Sequence, residues 1–247
     1  MRFEGKIAAV SGGASGIGRA TVMALGKAGA KVFFGDIDKA KGADVEMEAK
    51  EQGFDATYVP LDITDDASIA KFAATATAGG RFDILVNAAG WDRIEPFVDN
   101  TPDFWNRVVA INFMGPVKLT RAFLQIMIEA RAGKIVNVAS DAGRVGSTGE
   151  TIYAGAKGGV IAFTKSLARE MARYQINVNC ICPGPTDTPL FRAQPERMQE
   201  ALARAIPFRR IGKPDEVADG ILFFASSRSD FCTGQVLSVS GGLTMVD

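Results

Sequence analysis

The chain has 247 residues, with 28 basic and 28 acidic side chains, no histidine and three cysteines. Zero net charge without a basic stripe argues against a nucleic-acid partner, and no apolar run reaches the ~20 residues of a membrane span. The Met1–Lys6 segment lacks the apolar core of a signal peptide. Thiols at Cys180, Cys182 and Cys232 in apolar surroundings fit a reducing cytoplasm better than a disulfide framework, and no metal site is expected.

In chain order, the first apolar run is 6–10, KIAAV. It leads into Ser11-Gly12-Gly13-Ala14-Ser15-Gly16-Ile17-Gly18 and then a helical pattern. Glycines there let the backbone turn tightly and approach a pyrophosphate, which the free N–H groups of the following helix attract. The second run, 31–35, ends at Gly35-Asp36, eighteen residues past Gly18. A carboxylate at that point accepts hydrogen bonds from both adenosine ribose hydroxyls and repels a 2′-phosphate. No arginine or lysine occupies position 37, so the reading favours NAD over NADP. A helix cap for the segment after Asp38 is the alternative role for Asp36.

The third run, 56–60, is followed by Asp62 and Ile63, where Asp62 is placed to meet an adenine amino group. The fourth, 83–87, runs into Asn87-Ala88-Ala89-Gly90, small residues that let a ribose lie close. Runs at 134–138, 176–182 and 235–239 complete seven predicted strands. Their near-continuous apolarity suits strands buried on both faces of a parallel sheet. Helical patterns between them give a doubly wound α/β fold with right-handed crossovers. No repeat or linker divides 1–247, so one domain is expected. The proline-bearing stretch 184–212 follows a strand's carboxyl end, where open sheets bind ligands, and reads as a lid or a plain surface excursion.

Tyr153 and Lys157 lie four residues apart in a helical pattern, on one helix face. An ammonium beside a phenol stabilises its anion and lowers its pKa from about 10. That makes Tyr153 a general base toward an alcohol, or a general acid toward a ketone. With no histidine in the chain, this pair is the leading candidate for proton transfer.

Together Gly12-x-x-x-Gly16-Ile17-Gly18, Asn87-Ala88-Ala89-Gly90, Asn112, Ser140, Tyr153-x-x-x-Lys157 and Pro183-Gly184 resemble the short-chain dehydrogenase/reductase family along essentially the whole chain. Two departures stand out: Ser11 where the family has threonine, and Ala88 where it has a second asparagine. The resemblance implies a single-domain Rossmann-type fold with a seven-stranded parallel sheet. It implies a catalytic set of Asn112, Ser140, Tyr153 and Lys157. Ser140 holds the substrate oxygen, Tyr153 exchanges the proton, Lys157 tunes the phenol and holds the nicotinamide ribose, and Asn112 positions a water. For the cofactor it implies Gly12, Ser15, Gly16, Ile17, Gly18, Asp36, Asp62, Ile63, Asn87, Ala88, Gly90, Pro183, Gly184, Thr186 and Thr188. It also implies a homotetramer, one face built from helices around 103–131 and 153–173 that carry Phe104, Trp105, Val108, Phe113, Met114 and Phe123.

Longer stretches, 87–97, 138–159, 182–190 and 233–245, resemble bacterial 2-hydroxycyclohexanecarboxyl-CoA dehydrogenases of aromatic and alicyclic acid degradation. That resemblance implies a small-molecule substrate, a ring hydroxyacyl-CoA, with Trp91 packing on the ring and Arg144 meeting a CoA phosphate or a carbonyl. Arg192, Arg197, Arg204, Arg209 and Arg210 either meet CoA phosphates or pair with acids on a solvated helix. Reduction of 3-oxoacyl thioesters, oxidation of simple secondary alcohols, and a catalytically silent NAD-binding subunit are the alternatives.

Overall fold

The computed structural model describes residues 1–246. Short apolar runs form strands β1 (Ile7–Ser11), β2 (Lys31–Asp36), β3 (Ala56–Pro60), β4 (Ile84–Asn87), β5 (Gly133–Val138), β6 (Ile176–Pro183) and β7 (Val236–Val239). Each lies within one residue of its sequence expectation at either end. They pair in the order β3-β2-β1-β4-β5-β6-β7, every pair parallel. The order reverses between β1 and β4, and the carboxyl ends of those strands flank the crevice in which such sheets bind ligands.

Helices cover both faces: α1 (Gly16–Lys27), α2 (Lys39–Glu51), α3 (Asp66–Thr77), α4 (Pro102–Val109), α5 (Gly115–Ala130), α6 (Ala142–Val145), α7 (Thr151–Met171), α8 (Pro189–Arg192), α9 (Glu196–Ala205) and α10 (Pro214–Ala225). One core packs Val22 and Leu25 of α1 and Val217 and Ile221 of α10 against Val10, Val32 and Val136. The opposite core packs Phe72, Phe123, Met127 and Leu167 against Ala9, Leu85 and Val178. Strands buried on both faces by this arrangement require the unbroken apolar runs that the sequence carries.

Caps fix where several helices start. Asp38 accepts from the Lys41 N–H, Asp65 from Ala67 and Ser68, Thr101 from Phe104, and Thr188 from Phe191. Asp38, not Asp36, therefore caps α2, which removes the alternative role for Asp36. The irregular stretch 184–212 contains α8 and α9, which arch over the sheet's carboxyl edge. No helix among the described residues is long and apolar enough to cross a membrane, and they hold no cluster of potential metal ligands.

Of the apolar side chains expected at a subunit face, Phe104, Val108 and Phe123 are buried within the chain itself, while Met114 is exposed. Core packing claims half of that list.

Candidate active site

A cleft of about 820 Å³ opens along the carboxyl ends of the strands. Its floor at one end is the β1–α1 turn. Gly12 takes φ +71°, and a Cβ there would come within 2.7 Å of the Ala89 backbone. Gly18 is tighter still, since a Cβ would sit 2.0 Å from the Gly12 carbonyl oxygen. These glycines bring strand, turn and helix to backbone contact. Ser11 ties the same turn to β4, its hydroxyl accepting from the Ala88 and Ala89 N–H groups at 3.2 and 3.3 Å. The hydroxyl retained at the first departure from the family pattern thus has a defined job.

The start of α1 has the properties of an anion site. Ser15 leads the helix without a side-chain cap, and no acid occupies the first turn. The leading N–H groups and the positive dipole end therefore face the cleft uncompensated by the protein's own side chains. Asp36 stands at the far wall, its carboxylate accepting from Ala14 N–H at 3.1 Å and Asp38 N–H at 3.0 Å. Two backbone donors fix its orientation and leave further lone pairs for a diol. Asp62 is organised by Thr64, which donates through both its N–H and its hydroxyl and holds the carboxyl below its usual range. These groups fit the phosphates and adenosine of a dinucleotide.

The chemical end is built on β5, α7 and the segment between them. Helix α7 contains both Tyr153 and Lys157. Ser140 follows β5, and Gly143 lets its loop lie directly on α7; a Cβ there would come within 2.7 Å of the Lys157 carbonyl carbon and the Gly158 nitrogen. Ser140 accepts from Ala142 N–H at 3.1 Å and is within hydrogen-bond reach of the Tyr153 hydroxyl. Lys157 is only 3% exposed. Its Nζ donates to the Val138 carbonyl at 2.9 Å and lies 5.6 Å from the Tyr153 ring centroid. Asn112 belongs to a π-helical turn, Ala110–Met114, an irregularity that re-aims a side chain. Its amide clamps Trp91, accepting from the Trp91 N–H at 3.2 Å and donating to the Trp91 carbonyl at 2.6 Å. A Cβ on Gly90 would lie 3.1 Å from Asn112 Oδ1 and 3.6 Å from Lys157 Nζ, so glycine keeps the lysine and asparagine close.

Electrostatics depart from the expected pattern. Burial raises the half-buried Tyr153 phenol well above its ordinary value, charges on Glu150 and Asp92 push the same way, and the Ser140 hydrogen bond opposes them. Burial also pulls Lys157 down to about 8. The i, i+4 spacing predicts a phenol acidified by the neighbouring ammonium; among the protein's own groups, burial and the carboxylates of Glu150 and Asp92 raise it instead.

A stability consequence follows for Lys157. Its folded pKa lies below the ordinary 10.5, so the unfolded chain binds more protons between pH 8 and 10.5, and stability rises with pH through that window. Lys157→Met is expected to abolish turnover yet raise stability at pH 7 by about 1–3 kcal/mol. The gain fades above pH 8. Urea unfolding at pH 7 and pH 10 measures both parts; a destabilised variant at pH 7 would refute it.

Most of the expected site residues line the cleft: Gly12, Ser15, Gly16, Ile17, Gly18, Asp36, Asp62, Ile63, Ala88, Gly90, Trp91, Ser140, Tyr153, Lys157, Pro183, Gly184, Thr186 and Thr188. Asn112 sits behind this surface, fully buried. Two others are turned elsewhere. The Asn87 amide is buried and donates to Thr120 and Asn137, stitching β4 to β5 and α5. Arg144 donates to the Ser238 hydroxyl at 2.8 Å and the Val246 carbonyl at 2.7 Å, so it anchors the C-terminal segment rather than the substrate wall.

The lid arginines are largely committed to acids and backbone. Arg192 pairs with Asp187 at 2.6 Å, Arg204 with Glu200 at 3.5 Å and Arg210 with Glu216 at 2.5 Å, while Arg209 donates to the Arg204 carbonyl. Residues to which the sequence assigned no individual role also line the chamber: Arg107, Asp141, Glu150, Met198, Leu202 and Leu243. Of these, Glu150 was legible as the residue three positions before Tyr153, at the N-cap of α7. Leu243 was not, because only the folded chain brings the C-terminal segment to the cleft.

A family model described as enoyl-(acyl carrier protein) reductase matches residues 12–244. The 3-oxoacyl-[acyl-carrier-protein] reductase FabG of Thermotoga maritima is 39% identical over 246 residues, 99% of this chain and 100% of that protein. The (2S)-[(R)-hydroxy(phenyl)methyl]succinyl-CoA dehydrogenase subunit BbsD of Thauera aromatica is 36% identical, with 99% of each chain covered. Among solved structures, a putative gluconate dehydrogenase from Agrobacterium tumefaciens superposes with a TM-score of 0.94 at 31% identity, covering 99% of this chain and 98% of that one. The Ser140–Tyr153–Lys157 arrangement beside a glycine-lined dinucleotide crevice, together with these end-to-end matches, makes the chain a member of the short-chain dehydrogenase/reductase family of nicotinamide-dependent oxidoreductases.

Proposed function

We propose that this protein interconverts a secondary alcohol and a ketone on an acyl thioester, using NAD, with 2-hydroxycyclohexanecarboxyl-CoA or a similar ring hydroxyacyl-CoA as substrate. The carrying observation for the cofactor is Asp36, held by two backbone donors at the adenosine end of the cleft. Nearby cations are spent elsewhere, Arg19 on Glu48 and Lys41 on Asp38, and exposed Ile37 offers no charge to a 2′-phosphate. For the substrate, support comes from two relatives whose names each specify a thioester-linked acyl group oxygenated near the carbonyl. Trp91, clamped by Asn112 and stacked under Arg107 at 4.0 Å, offers a ring face in the same chamber.

A nicotinamide held beside Tyr153 and Lys157 would supply the hydride acceptor or donor and, when oxidised, a positive charge favouring ionised Tyr153. Ser140 and Tyr153 hold the substrate oxygen between them and orient the reacting C–H. In the oxidative direction Tyr153 accepts the hydroxyl proton; in the reductive direction it donates one. Lys157 steadies the phenolate, and Asn112 holds the Trp91 backbone beside it. Phe191, Met198 and Leu202 of the lid region close the chamber from above and keep water from the reacting carbon.

A second reading, reduction of 3-oxoacyl groups on acyl carrier protein, is favoured by the 39% identity to the Thermotoga reductase. Turnover of ring and linear hydroxyacyl-CoA, and of 3-oxoacyl carrier protein, separates the two. The cofactor choice has its own test: Asp36→Ala is expected to narrow the NAD/NADP ratio of kcat/KM by about 10–100-fold, the size of one partly buried like-charge repulsion. An unchanged ratio would assign Asp36 to loop structure alone. We further propose a cytoplasmic homotetramer, with exposed Met114, Leu237 and Met245 at its faces; a monomeric mass by light scattering would overturn that.

A further inference from the structure

Two cations line the cleft among the described residues, and they differ in kind. Lys157 is buried, its Nζ spent on the Val138 carbonyl. Arg107, on α4, is exposed, with its Cζ 4.0 Å from the centre of the Trp91 ring. That ring contact is the whole of its side-chain partnership; no acid and no carbonyl takes its N–H groups. Arg93 provides the contrast. It lies over the neighbouring ring, Phe104, at 5.1 Å, but pairs with Glu95 at 2.7 Å. Arg192, Arg204 and Arg210 of the lid likewise carry their own acids. Asp103, one turn earlier on α4, makes no pair with Arg107, and neither does Glu150, whose ionisation burial opposes. The platform under Arg107 is fixed. Asn112 holds the Trp91 N–H and carbonyl, and Phe104 meets the indole edge-on at 5.8 Å. Both rings share one apolar cluster with Tyr153, so the platform adjoins the reacting end.

We propose that Arg107, seated on Trp91, is the receptor for a second, anionic group of the substrate, a carboxylate or a phosphate remote from the reacting carbon. The inference rests on the dehydrogenase reading above and deepens it by adding a charge requirement at the far end of the substrate. A guanidinium on an indole face keeps the donors in its own plane free, and their fork matches two oxygens of a carboxylate or phosphate at once. Stacking orders the side chain before the ligand arrives, which lowers the entropy lost on binding. The indole also strips water from one face of the cation, which strengthens its attraction for an anion. Lys157 cannot take this part, because its ammonium is buried behind the reacting end. Two sources can supply the anion: the phosphates of a carrier joined through the thioester, or a carboxylate on the acyl portion itself.

The test measures two ratios of kcat/KM, each of an anionic substrate to a neutral one with the same reacting end. The first sets the 1-methyl ester of 3-hydroxyadipate, with its remote carboxylate, against methyl 3-hydroxybutanoate. The second sets 3-hydroxybutanoyl-CoA against 3-hydroxybutanoyl-pantetheine, which lacks the phosphates. Arg107→Met keeps an apolar stem on Trp91 and removes the charge. It is expected to lower at least one ratio by about tenfold, through KM rather than kcat, whatever it does to absolute rates. Arg107→Lys is expected to recover part of that loss, and Arg93→Met to leave both ratios in place. A loss confined to the first ratio assigns the anion to the acyl portion, and one confined to the second assigns it to the carrier. Both ratios unmoved in Arg107→Met, or moved equally by Arg93→Met, would overturn the receptor while leaving the dehydrogenase standing. If no alcohol, ester or thioester is oxidised with either cofactor, the proposed function fails. The receptor is then judged by binding, with tryptophan fluorescence titrated against monomethyl adipate and against 4′-phosphopantetheine. A saturable change lost in Arg107→Met supports it; no saturable change, or the same one in both proteins, overturns it.

Discussion

Tyr153→Phe is expected to lower kcat by about 10³-fold while changing the cofactor dissociation constant by less than about threefold. The hydroxyl removed is the one protonic group that the fold places beside Ser140 and within reach of Lys157, 5.6 Å from the ring centroid. No histidine can substitute, because the chain has none. Asp141, Glu150 and Asp92 are nearby, but Tyr153 is the group whose raised pKa the Ser140 hydroxyl opposes. The ring itself remains, so packing against Phe104 and Ala156 is preserved and the variant folds. Steady-state turnover and NADH binding by fluorescence measure the two halves separately. Turnover within tenfold of the unaltered protein would remove Tyr153 from the chemistry.

Gly18→Ala is expected to weaken NAD binding by about a hundredfold or more and to destabilise the protein by about 1–3 kcal/mol. A Cβ at this position would lie 2.0 Å from the Gly12 carbonyl oxygen and 2.7 Å from its carbon. Both obstacles are backbone, so no side chain can swing aside. Relief requires the β1–α1 turn to open, which also disturbs the Ser11 bridge to Ala88 and Ala89 and misdirects the helix N-terminus. Gly155→Ala is the control: α7 has open space at Gly155, where nothing lies within 4 Å of an added Cβ. That change is expected to be neutral or to stabilise by up to about 1 kcal/mol. Calorimetric NAD titration and thermal unfolding of the two variants test the contrast; a Gly18→Ala protein that binds NAD normally would refute the close-contact role.

Several features of the molecule were legible in the chain before folding. Strands buried on both faces must be apolar throughout, so seven such runs marked the sheet. A helix returns to the same face every fourth residue, so Tyr153 and Lys157 could be paired on α7 by counting. Gly12, Gly16 and Gly18 followed by helix, and Asp36 at the end of β2, are local patterns with local physical causes. Properties that depend on what meets across the fold were not legible. Asn87 looks like a cofactor contact from its neighbours, yet the packing of β4 beside β5 turns its amide into the core toward Asn137 and Thr120. Arg144 looks like a substrate cation, yet β7 and the C-terminal segment arrive beside it and accept from its Nη1 and Nη2. The lid arginines look like a phosphate cradle until Asp187, Glu200 and Glu216 are seen to pair with three of them. The acidity of Tyr153 depends on how much water reaches it and on charges from residues 92 and 150, a sum over space that sequence spacing does not encode. The sequence determined which elements form and which groups are available for the proposed chemistry, because those follow from local periodicity and residue type. Only the tertiary structure decided which charges surround the reacting carbon and which candidate side chains face it, because burial and long-range pairing exist only once the sheet is assembled.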